Sequence, residues 1–355
     1  MLVGARPIGR FEATALSAMV LAFAWCCAPA RAAGPQFGPE QVVQAGGGDL
    51  TVDGYSVPSC ADWDNDGLDD LIVGEGGGGH IDGKVRVYLN TGSAAAPHFD
   101  DYFYAVSGGS ALWVPAGGCL GIYPRVVDCN GDGKKDLLCG LTGGTVKVFL
   151  NVGLDDDPIF DAGTELTAGP DGAKSAIDVG MRATPNLIDW DNDGDRDLLV
   201  GGYDGKFHLY RNDGTGASPD YRAPVLLPDT AGGDLVLSTL RASPALADLD
   251  GDGRMDLLAG DTDGRLMLYL NQGTDAAPAF SSPLGEQLTA DGAAVDLPGS
   301  PRSRPCVVDW TGDGLLDVLV GSADGMVRLY EQVPEPGAVL LLAVATPLVL
   351  RRRRP

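Results

Sequence analysis

The sequence predicts an all-β fold, a β-propeller of five four-stranded blades that is closed by an outer strand from the amino end. Three observations lead to this prediction. An aspartate-rich segment recurs five times in the 355-residue chain, at intervals of 59 to 66 residues, and such a period is typical of repeat architectures. A short apolar run that ends at a glycine follows each copy, as expected for a buried strand. The signal for one outer strand stands at the amino end instead of behind the last repeat.

Each repeat contains signals for three consecutive strands. A proline opens the first strand in every repeat: Pro58, Pro124, Pro185, Pro244 and Pro305. The second strand is the apolar run: Leu71 to Val73, Leu137 to Cys139, Leu198 to Val200, Leu257 to Ala259 and Val318 to Val320. Two-residue turns predict hairpins: Asp82-Gly83, Gly143-Gly144, Asp204-Gly205, Asp263-Gly264 and Asp324-Gly325. The return strands are Val85 to Asn90, Val146 to Asn151, Phe207 to Asn212, Leu266 to Asn271 and Val327 to Gln332.

A Pro-x-aromatic pair introduces a fourth strand behind each of the first four return strands. These pairs are Pro97/Phe99, Pro158/Phe160, Pro219/Tyr221 and Pro278/Phe280. The fifth pair, Pro35/Phe37, stands at the amino end and leads into residues 40–45. An amino-terminal strand that completes the last unit would close a ring of blades without an exposed sheet edge.

The aspartate-rich segments follow the pattern D-x-D-x-D-G-x-x-D, in which Asn130 and Thr311 replace the second aspartate of two copies. Calcium takes about six to eight oxygen ligands, and this pattern offers them at positions one, three, five and nine and from the carbonyl of position seven. Glycine at position six permits a sharp turn. The predicted ligands of five structural Ca²⁺ ions are Asp62, Asp64, Asp66, Leu68 and Asp70; Asp128, Asn130, Asp132, Lys134 and Asp136; Asp189, Asp191, Asp193, Asp195 and Asp197; Asp248, Asp250, Asp252, Arg254 and Asp256; and Asp309, Thr311, Asp313, Leu315 and Asp317. Thr311 offers only a neutral hydroxyl, so the fifth loop is predicted to be the weakest.

Position twelve distinguishes these loops from an EF-hand, which needs a bidentate glutamate there and a helix on each side. The residues at this position are Val73, Cys139, Val200, Ala259 and Val320. Each lies in an apolar run of strand type, so the loop is predicted to join two strands. A simple turn is the alternative interpretation of an Asp/Asn/Gly cluster, but five copies at one period argue against it.

In these motifs the chain resembles the FG-GAP/VCBS repeat family, the integrin-α-like propellers of bacterial surface proteins. The resemblance covers residues 36–332. Members of this family often have seven blades, whereas this length leaves room for five. The resemblance implies that the calcium loops lie on one face of the disc and that ligand contacts, where they exist, lie mostly on the other face.

The first 32 residues are typical of a secretory signal peptide. Arg6 and Arg10 precede an apolar stretch over residues 13–24, and Ala30-Arg31-Ala32 forms a small-residue cleavage site. Signal peptidase is therefore an expected partner during export. Cys26 suggests a lipoprotein as an alternative, but the preceding Trp25 is too large for that signal.

Residues 333–355 resemble a PEP-CTERM sorting tail in three parts: Pro334-Glu335-Pro336, an apolar stretch over residues 338–350 and an arginine cluster at residues 351–354. The resemblance implies a transient membrane anchor, an exosortase-type enzyme as partner, and delivery to the outer surface or matrix of a Gram-negative-type bacterium. A permanent carboxy-terminal anchor is the alternative, although thirteen apolar residues are fewer than the roughly twenty of a stable span.

The charge balance restricts the partners of the chain. The sequence contains 49 acidic and 25 basic residues, for a formal net charge of −24, which disfavours nucleic acid and anionic membrane. Each loop packs carboxylates that repel one another without metal, so calcium binding and folding are expected to be coupled.

Five cysteines follow the predicted signal peptide. Export makes some disulfide pairing plausible, although an odd number of cysteines cannot pair fully within one chain. Cys60 and Cys306 are expected to meet at ring closure, where apolar filling is the favoured role and a disulfide is the alternative.

The sequence predicts a non-catalytic adhesion or structural module. The histidines His80, His98 and His208 are scattered, without zinc spacing, and no nucleophile elbow or phosphate loop is present. A lectin-like propeller is the alternative binding class, and a polysaccharide lyase or hydrolase, with paired carboxylates, is the catalytic alternative. The connectors before the first strands contain Tyr55, Trp113, Tyr123, Arg182, Arg241, Arg302 and Arg304. Such groups suit an extracellular polysaccharide or another surface protein, or they only pack and pair with the acidic body.

Overall fold

The computed structural model describes residues 34–334, except residues 117, 119–120, 281–284, 298 and 300. Throughout these residues the regular elements are β-strands, which confirms the all-β prediction. In the same part of the chain no helix has the length and apolar character that a membrane crossing requires. The predicted signal peptide, residues 335–355 of the predicted sorting tail, and Cys119 lie outside the described residues.

Five antiparallel sheets repeat one strand order, in which three consecutive strands pair and a short outer strand covers the third. Sheet 1 contains Val57–Ala61, Asp70–Gly74, Asp82–Tyr88 and Phe103–Tyr104; sheet 2 contains Ile122–Val127, Asp136–Leu141, Val146–Phe149 and Thr164–Glu165; sheet 3 contains Thr184–Ile188, Asp197–Gly201, Phe207–Tyr210 and Val225–Leu226; sheet 4 contains Ser243–Ala247, Asp256–Gly260, Leu266–Tyr269 and Glu286–Gln287; sheet 5 contains Arg304–Val308, Asp317–Gly321, Val327–Tyr330 and Gln41–Val42. The outer strand of sheet 5 therefore comes from the amino end, as the sequence predicts.

Shorter strands lie around these sheets. Their pairs are Gln36–Phe37 with both Thr289–Ala290 and Gln332–Val333, Ala293–Ala294 with Thr289–Ala290, Val106–Ser107 with both Ser110–Ala111 and Ile159–Phe160, Trp113–Pro115 with Asp82–Tyr88, Thr167–Ala168 with Ser175–Ala176, and Gln44–Ala45 with Gly48–Asp49. Phe37 pairs with Gln332 as Phe99 pairs with Asn90. Phe37 is thus the fifth copy of the aromatic position.

One predicted turn is wrong. Asp82 and Gly83 lie inside the third strand of sheet 1 and face Pro115 and Val114 across a strand pair. The first repeat has five more residues than the others between its aspartate-rich segment and this point. These residues move the turn back to Gly78 and Gly79 and let the third strand extend. The other four predicted hairpin turns lie between the second and third strands.

The first strands contact one another in the cyclic order 1-2-3-4-5-1. Each second strand has a glycine as its last residue, or as its next-to-last residue in sheet 2, and this glycine faces the carbonyl oxygen of a residue in the next sheet or just before it. A Cβ atom on any of these glycines would lie closer than 3.0 Å to that oxygen. The five pairs are Gly74 with Ile122, Gly140 with Ala183, Gly201 with Ala242, Gly260 with Ser303 and Gly321 with Ser56. Neighbouring sheets therefore approach closely, and the last sheet contacts the first.

The apolar core is divided into five main clusters, one between each pair of neighbouring sheets. In the cluster between sheets 5 and 1, the rings of Trp310 and Phe99 lie 5.5 Å apart. Between sheets 1 and 2, the rings of Trp63 and Phe160 lie 5.9 Å apart. Trp190 is also buried. These tryptophans, each at position two of its loop, therefore pack between neighbouring sheets.

Cys60 and Cys306 lie on the first strands of sheets 1 and 5. Their thiol groups are within hydrogen-bonding contact, and both cysteines are free. The two side chains pack against the cluster between these sheets. The structure thus places the two cysteines together, as expected.

Candidate metal centres

The five aspartate-rich loops all join the first strand of a sheet to its second strand. The ninth-position aspartate is in each case the first residue of the second strand: Asp70, Asp136, Asp197, Asp256 and Asp317. The hairpins between second and third strands lie at the opposite end of each sheet, because consecutive strands are antiparallel. We call the two ends the loop end and the hairpin end.

The loop backbone has two left-handed positions, at residues four and six. The sixth position is always glycine, with φ between 84° and 94°. At position four, φ is 61° for Asn65 and 58° for Asn192, and the other three loops have glycine there with φ between 67° and 74°. Asparagine and glycine adopt this conformation with the least strain. The sequence analysis missed position four, although its restriction to Asn or Gly was visible.

The aspartates at positions one and five accept backbone hydrogen bonds that fold each loop around their carboxylates. In loop 1, Gly67 N donates to Asp62 Oδ2 at 3.0 Å and Leu68 N donates to Asp66 Oδ1 at 2.8 Å. The same two bonds recur in the other four loops at 2.8–3.1 Å. The loops therefore share one shape, with the carboxylates turned toward the loop interior.

The aspartate at position nine accepts a backbone hydrogen bond on each of its two carboxylate oxygens. Trp63 N donates to Asp70 Oδ2 and Asn90 N donates to Asp70 Oδ1, both at 2.7 Å. Equivalent pairs of hydrogen bonds occur in the other repeats. One donor is the backbone N–H of position two of the loop, and the other is the backbone N–H of the residue two positions after the third strand. Burial raises the pKa of Asp70 and of Asp256 to about 6. This aspartate thus fastens the loop to the third strand, whether or not it also binds metal.

Carboxylate oxygens come together in three of the five loops. In each of these loops, oxygens of three aspartates lie within 4.8 Å of one another: Asp62, Asp64 and Asp66; Asp189, Asp191 and Asp193; and Asp248, Asp250 and Asp256. Loops 2 and 5 have Asn130 and Thr311 in place of the third-position acid. The structure therefore divides the predicted sites into three with clustered carboxylates and two with fewer.

Several predicted ligand atoms are buried without a partner among the described residues. They are Asp62 Oδ1, Asp191 Oδ1 and Thr311 Oγ1. A buried oxygen without a donor is costly, and a cation in the loop would satisfy it. Two other ligand oxygens are paired with guanidinium groups: Arg211 contacts Asp191 Oδ2 and Arg254 contacts Asp252 Oδ2. The donor set, with its unpaired oxygens, fits a hard divalent cation such as Ca²⁺.

The asparagine two residues after the third strand organises the next connector, a role that was not predicted from the sequence. Asn90 Oδ1 accepts hydrogen bonds from Gly92 N at 3.0 Å and His98 N at 3.1 Å. Asn151, Asn212 and Asn271 form the same pair of bonds. The signal was an N-x-G pattern in four repeats, and the fifth repeat has Gln332 instead.

Neighbouring loops are also connected to each other. Asn65 of loop 1 donates from Nδ2 to Asp155 Oδ2 at 2.9 Å, and Lys135 of loop 2 forms an ion pair with the same oxygen at 2.9 Å. Lys135 N donates to Asp155 Oδ1 at 2.8 Å. Asp155 thus contacts both loops and joins them to each other.

The fold and the site define a class, an all-β repeat protein with acidic loops between the first two strands of each sheet. Comparisons with known proteins support FG-GAP repeats within that class. Residues 189–259 match the FG-GAP-like repeat family model. Integrin alpha-4 from Xenopus laevis is 26% identical over 267 residues, which cover 72% of this chain and 24% of that protein. The chain thus spans about a quarter of the length of this relative.

Two solved structures are similar to the chain at 14% identity. The Tc holotoxin pore of Photorhabdus luminescens is matched over 84% of this chain and 15% of its own, with a TM-score of 0.37. The GH43_1 enzyme from Xanthomonas citri is matched over 81% of this chain and 90% of its own, with a TM-score of 0.48. At these TM-scores neither likeness determines a fold or an activity for this chain.

Proposed function

We propose that this chain is an exported, calcium-binding five-bladed β-propeller that acts as a non-catalytic adhesion or structural module. The propeller comprises residues 36–332, between a signal peptide over residues 1–32 and a sorting tail over residues 333–355. One observation carries the proposal: five loops of the same shape lie at one end of five sheets, and the first strands of these sheets contact one another in cyclic order. Each sheet is then one blade.

Calcium is the proposed ion because every donor in the loops is oxygen. Short loops with several carboxylates and a backbone carbonyl suit calcium better than the strict octahedron of magnesium. With dissociation constants of about 10⁻⁴–10⁻³ M, about 1 mM calcium stabilises the fold by about 0.4–1.4 kcal/mol per site. Five sites contribute about 2–7 kcal/mol, which is comparable with the usual net stability of about 5–15 kcal/mol.

Each loop is positioned to transmit this stabilisation to the contacts between blades. The ninth aspartate holds the backbone of position two, and the side chain of position two packs between blades. An ion that orders the loop therefore also orders an inter-blade cluster. This arrangement supports a structural role for the ions.

Export is proposed from the two terminal signals, with signal peptidase and an exosortase-type enzyme as partners. Similarity to integrin alpha-4 over most of the chain favours an outer surface or matrix location. Adhesion is favoured over catalysis because the conspicuous paired carboxylates are engaged in the loops. A lectin-like propeller remains the second binding class, and a polysaccharide lyase or hydrolase the catalytic one.

The calcium proposal is tested by thermal melting of the purified protein after metal removal, with and without about 1 mM calcium. We expect calcium to raise the melting temperature by many degrees and magnesium at the same concentration to raise it much less. Unchanged melting curves would contradict a structural role for calcium.

The binding class is tested separately, by retention of the calcium-loaded protein on immobilised glycans with analysis of released products. Retention without cleavage supports a lectin, and cleavage supports an enzyme. The absence of both, together with retention on cell-surface or matrix protein, supports the adhesion module.

A further inference from the structure

The hairpin end carries arginines at equivalent positions in three connectors. Arg182, Arg241 and Arg302 each stand three residues before the proline of a first strand. All three have a left-handed backbone, with φ of 55°, 71° and 81°. Long side chains rarely adopt this conformation, and such strain is concentrated at functional sites. The connectors dock on the preceding hairpins: Arg182 N donates to Thr142 O at 3.0 Å and Arg241 N donates to Tyr203 O at 3.1 Å.

Tyrosine rings hold these arginines in two groups, one around Tyr203 and one around Tyr55. The guanidinium carbons of Arg182 and Arg241 lie 4.6 Å and 5.5 Å from the ring centre of Tyr203. Those of Arg302 and Arg304 lie 4.9 Å and 5.1 Å from the ring centre of Tyr55. We call these four arginines and two tyrosines the arginine cluster. The sequence analysis singled out five of the six residues, and Tyr203 was missed.

Positive charge is concentrated in the arginine cluster. Burial and then the neighbouring Arg302 and Arg241 lower the pKa of Arg304 to about 10, although Tyr123 and Tyr55 oppose that change. The cluster therefore repels itself, and a bound anion would relieve the repulsion.

Arg182 is the least satisfied member of the cluster. Its exposed fraction is only 8%, and its Nε and Nη1 atoms are buried without a hydrogen-bond partner among the described residues. Arg302 Nη1 donates to Tyr55 Oη at 2.6 Å, while its Nε is buried without a partner in the same part of the chain. A buried guanidinium without an acceptor is costly, so these nitrogens are available to donate hydrogen bonds to an acceptor from a ligand.

The fold supplies carboxylates to a comparable arginine elsewhere. Arg328, also largely buried, has Glu40 at 3.1 Å from its Nε and Asp324 at 2.6 Å from its Nη2. Among the described residues, Arg182 and Arg302 have no carboxylate within ion-pair distance, despite the large excess of acidic residues. The missing acceptor is thus specific to the cluster.

We propose that the arginine cluster is a binding site for the carboxylate group of a ligand, with Arg182 as its principal donor. A planar guanidinium binds a carboxylate through two parallel hydrogen bonds. Because the remaining surface is acidic, the attraction is local, and the site takes one carboxylate instead of a polyanion. The proposal does not depend on the calcium loops, which lie at the opposite end.

The test measures binding of three probes to the calcium-loaded protein by calorimetry: glucuronate, neutral glucose and N-acetylglutamate. We expect glucuronate or N-acetylglutamate to bind at least about tenfold more tightly than glucose, since one charge-assisted hydrogen bond accounts for that factor. The stronger of the two identifies the source of the carboxylate as a sugar acid or an acidic protein chain. Equal binding of all three probes, or binding of none, would overturn the proposal.

Two substitutions of Arg182 test the location of the site, and a substitution of Arg265 serves as the matched control. Arg182→Gln is expected to weaken carboxylate binding about tenfold or more, whereas Arg265→Gln, at an exposed ion pair with Asp263, should leave it unchanged. If Arg182→Gln lowers the calcium-dependent melting temperature, Arg182→Lys replaces it, because lysine keeps the charge and loses the two-pronged geometry. Wild-type affinity in a folded Arg182 variant would place the carboxylate elsewhere and contradict the assignment.

Discussion

Arg125 donates a hydrogen bond from Nε to Asn186 Oδ1 at 3.1 Å, and this bond joins the first strands of sheets 2 and 3. The other guanidinium nitrogens donate to Pro58 O at 3.0 Å in sheet 1 and to Pro305 O at 3.1 Å in sheet 5. Asn186 Nδ2 donates to Pro244 O at 2.8 Å in sheet 4. Two side chains thus connect all five first strands around one central position.

Removal of either side chain should destabilise the protein, and the two losses should not add. Arg125→Met leaves several buried acceptors unpaired, at a cost of about 1.5–3 kcal/mol, and Asn186→Ala has a similar effect. Their coupling energy, from denaturant unfolding of the two single variants and the double variant, is expected to be about 0.5–3 kcal/mol. Arg222→Met, at a partly exposed ion pair with Asp213, should cost much less, because solvent screens exposed ion pairs. Additive losses would mean that the central bond contributes little.

The close approach of sheets at Gly140 predicts a large effect of one methyl group. A Cβ there would clash with the backbone of Ala183 in the connector to the next sheet, so Gly140→Ala should cost about 1–3 kcal/mol or more. Gly143, three residues away, has an exposed position and open space where its Cβ would lie. Gly143→Ala should change the free energy of unfolding by less than about 0.5 kcal/mol. Similar effects of the two substitutions would show that the sheets are not tightly packed at this point.

The carboxylate clusters predict unequal calcium sites. Asp191→Ala with Asp193→Ala removes two members of a clustered loop, whereas Thr311→Ala with Asp313→Ala alters a loop that already lacks the third-position acid. The first pair should lower the calcium-dependent rise in melting temperature more than the second. The melting temperatures of both variants without calcium serve as the reference, because loop hydrogen bonds are also lost. Equal losses of the calcium effect would refute the ranking.

Ring closure through Phe37 predicts that the amino-terminal segment is part of the core. Phe37 is 4% exposed and packs between sheets 4 and 5, so Phe37→Ala should cost about 3–5 kcal/mol. Phe103, on the outer strand of sheet 1, is 44% exposed and provides the control, since Phe103→Ala removes a half-exposed ring. A smaller loss for Phe37 than for Phe103 in urea unfolding would argue against closure by the amino end.

Two buried tyrosines predict alkaline unfolding. Burial raises the pKa of Tyr210 and of Tyr269 to about 12, from an unfolded value of about 10. The folded state therefore retains these protons longer, so stability is fully present below about pH 10 and decreases as the pH rises toward 12. Phenylalanine is acceptable at this position, because Phe149 occupies it in sheet 2. The double variant Tyr210→Phe, Tyr269→Phe should lose less stability than the wild type between about pH 10 and 12; the same loss would show that other groups control alkaline unfolding.

The loop residues show how much of the candidate site a repeated sequence pattern predicts. Asp62 and its four equivalents were identifiable as members of one recurring loop because five copies share one period. The hydrogen bonds that Asp70 accepts from backbone N–H groups were not predictable from the sequence. Whether a carboxylate binds metal or backbone donors depends on which N–H groups the third strand brings to it. The turn at Asp82-Gly83 was wrong for a similar reason: pairing with Trp113–Pro115 outweighs the local turn preference.

The sequence by itself determined the strand content, the repeat length, the loop chemistry and the displacement of one outer strand to the amino end. These properties are local or periodic, so residue spacing records them. Only the tertiary structure decided which residues meet across sheets: Arg125 with Asn186, Gly140 with Ala183, and Arg182 with Tyr203. Such contacts depend on the twist and spacing of neighbouring sheets, and on interactions between residues far apart in the chain, which no local pattern encodes.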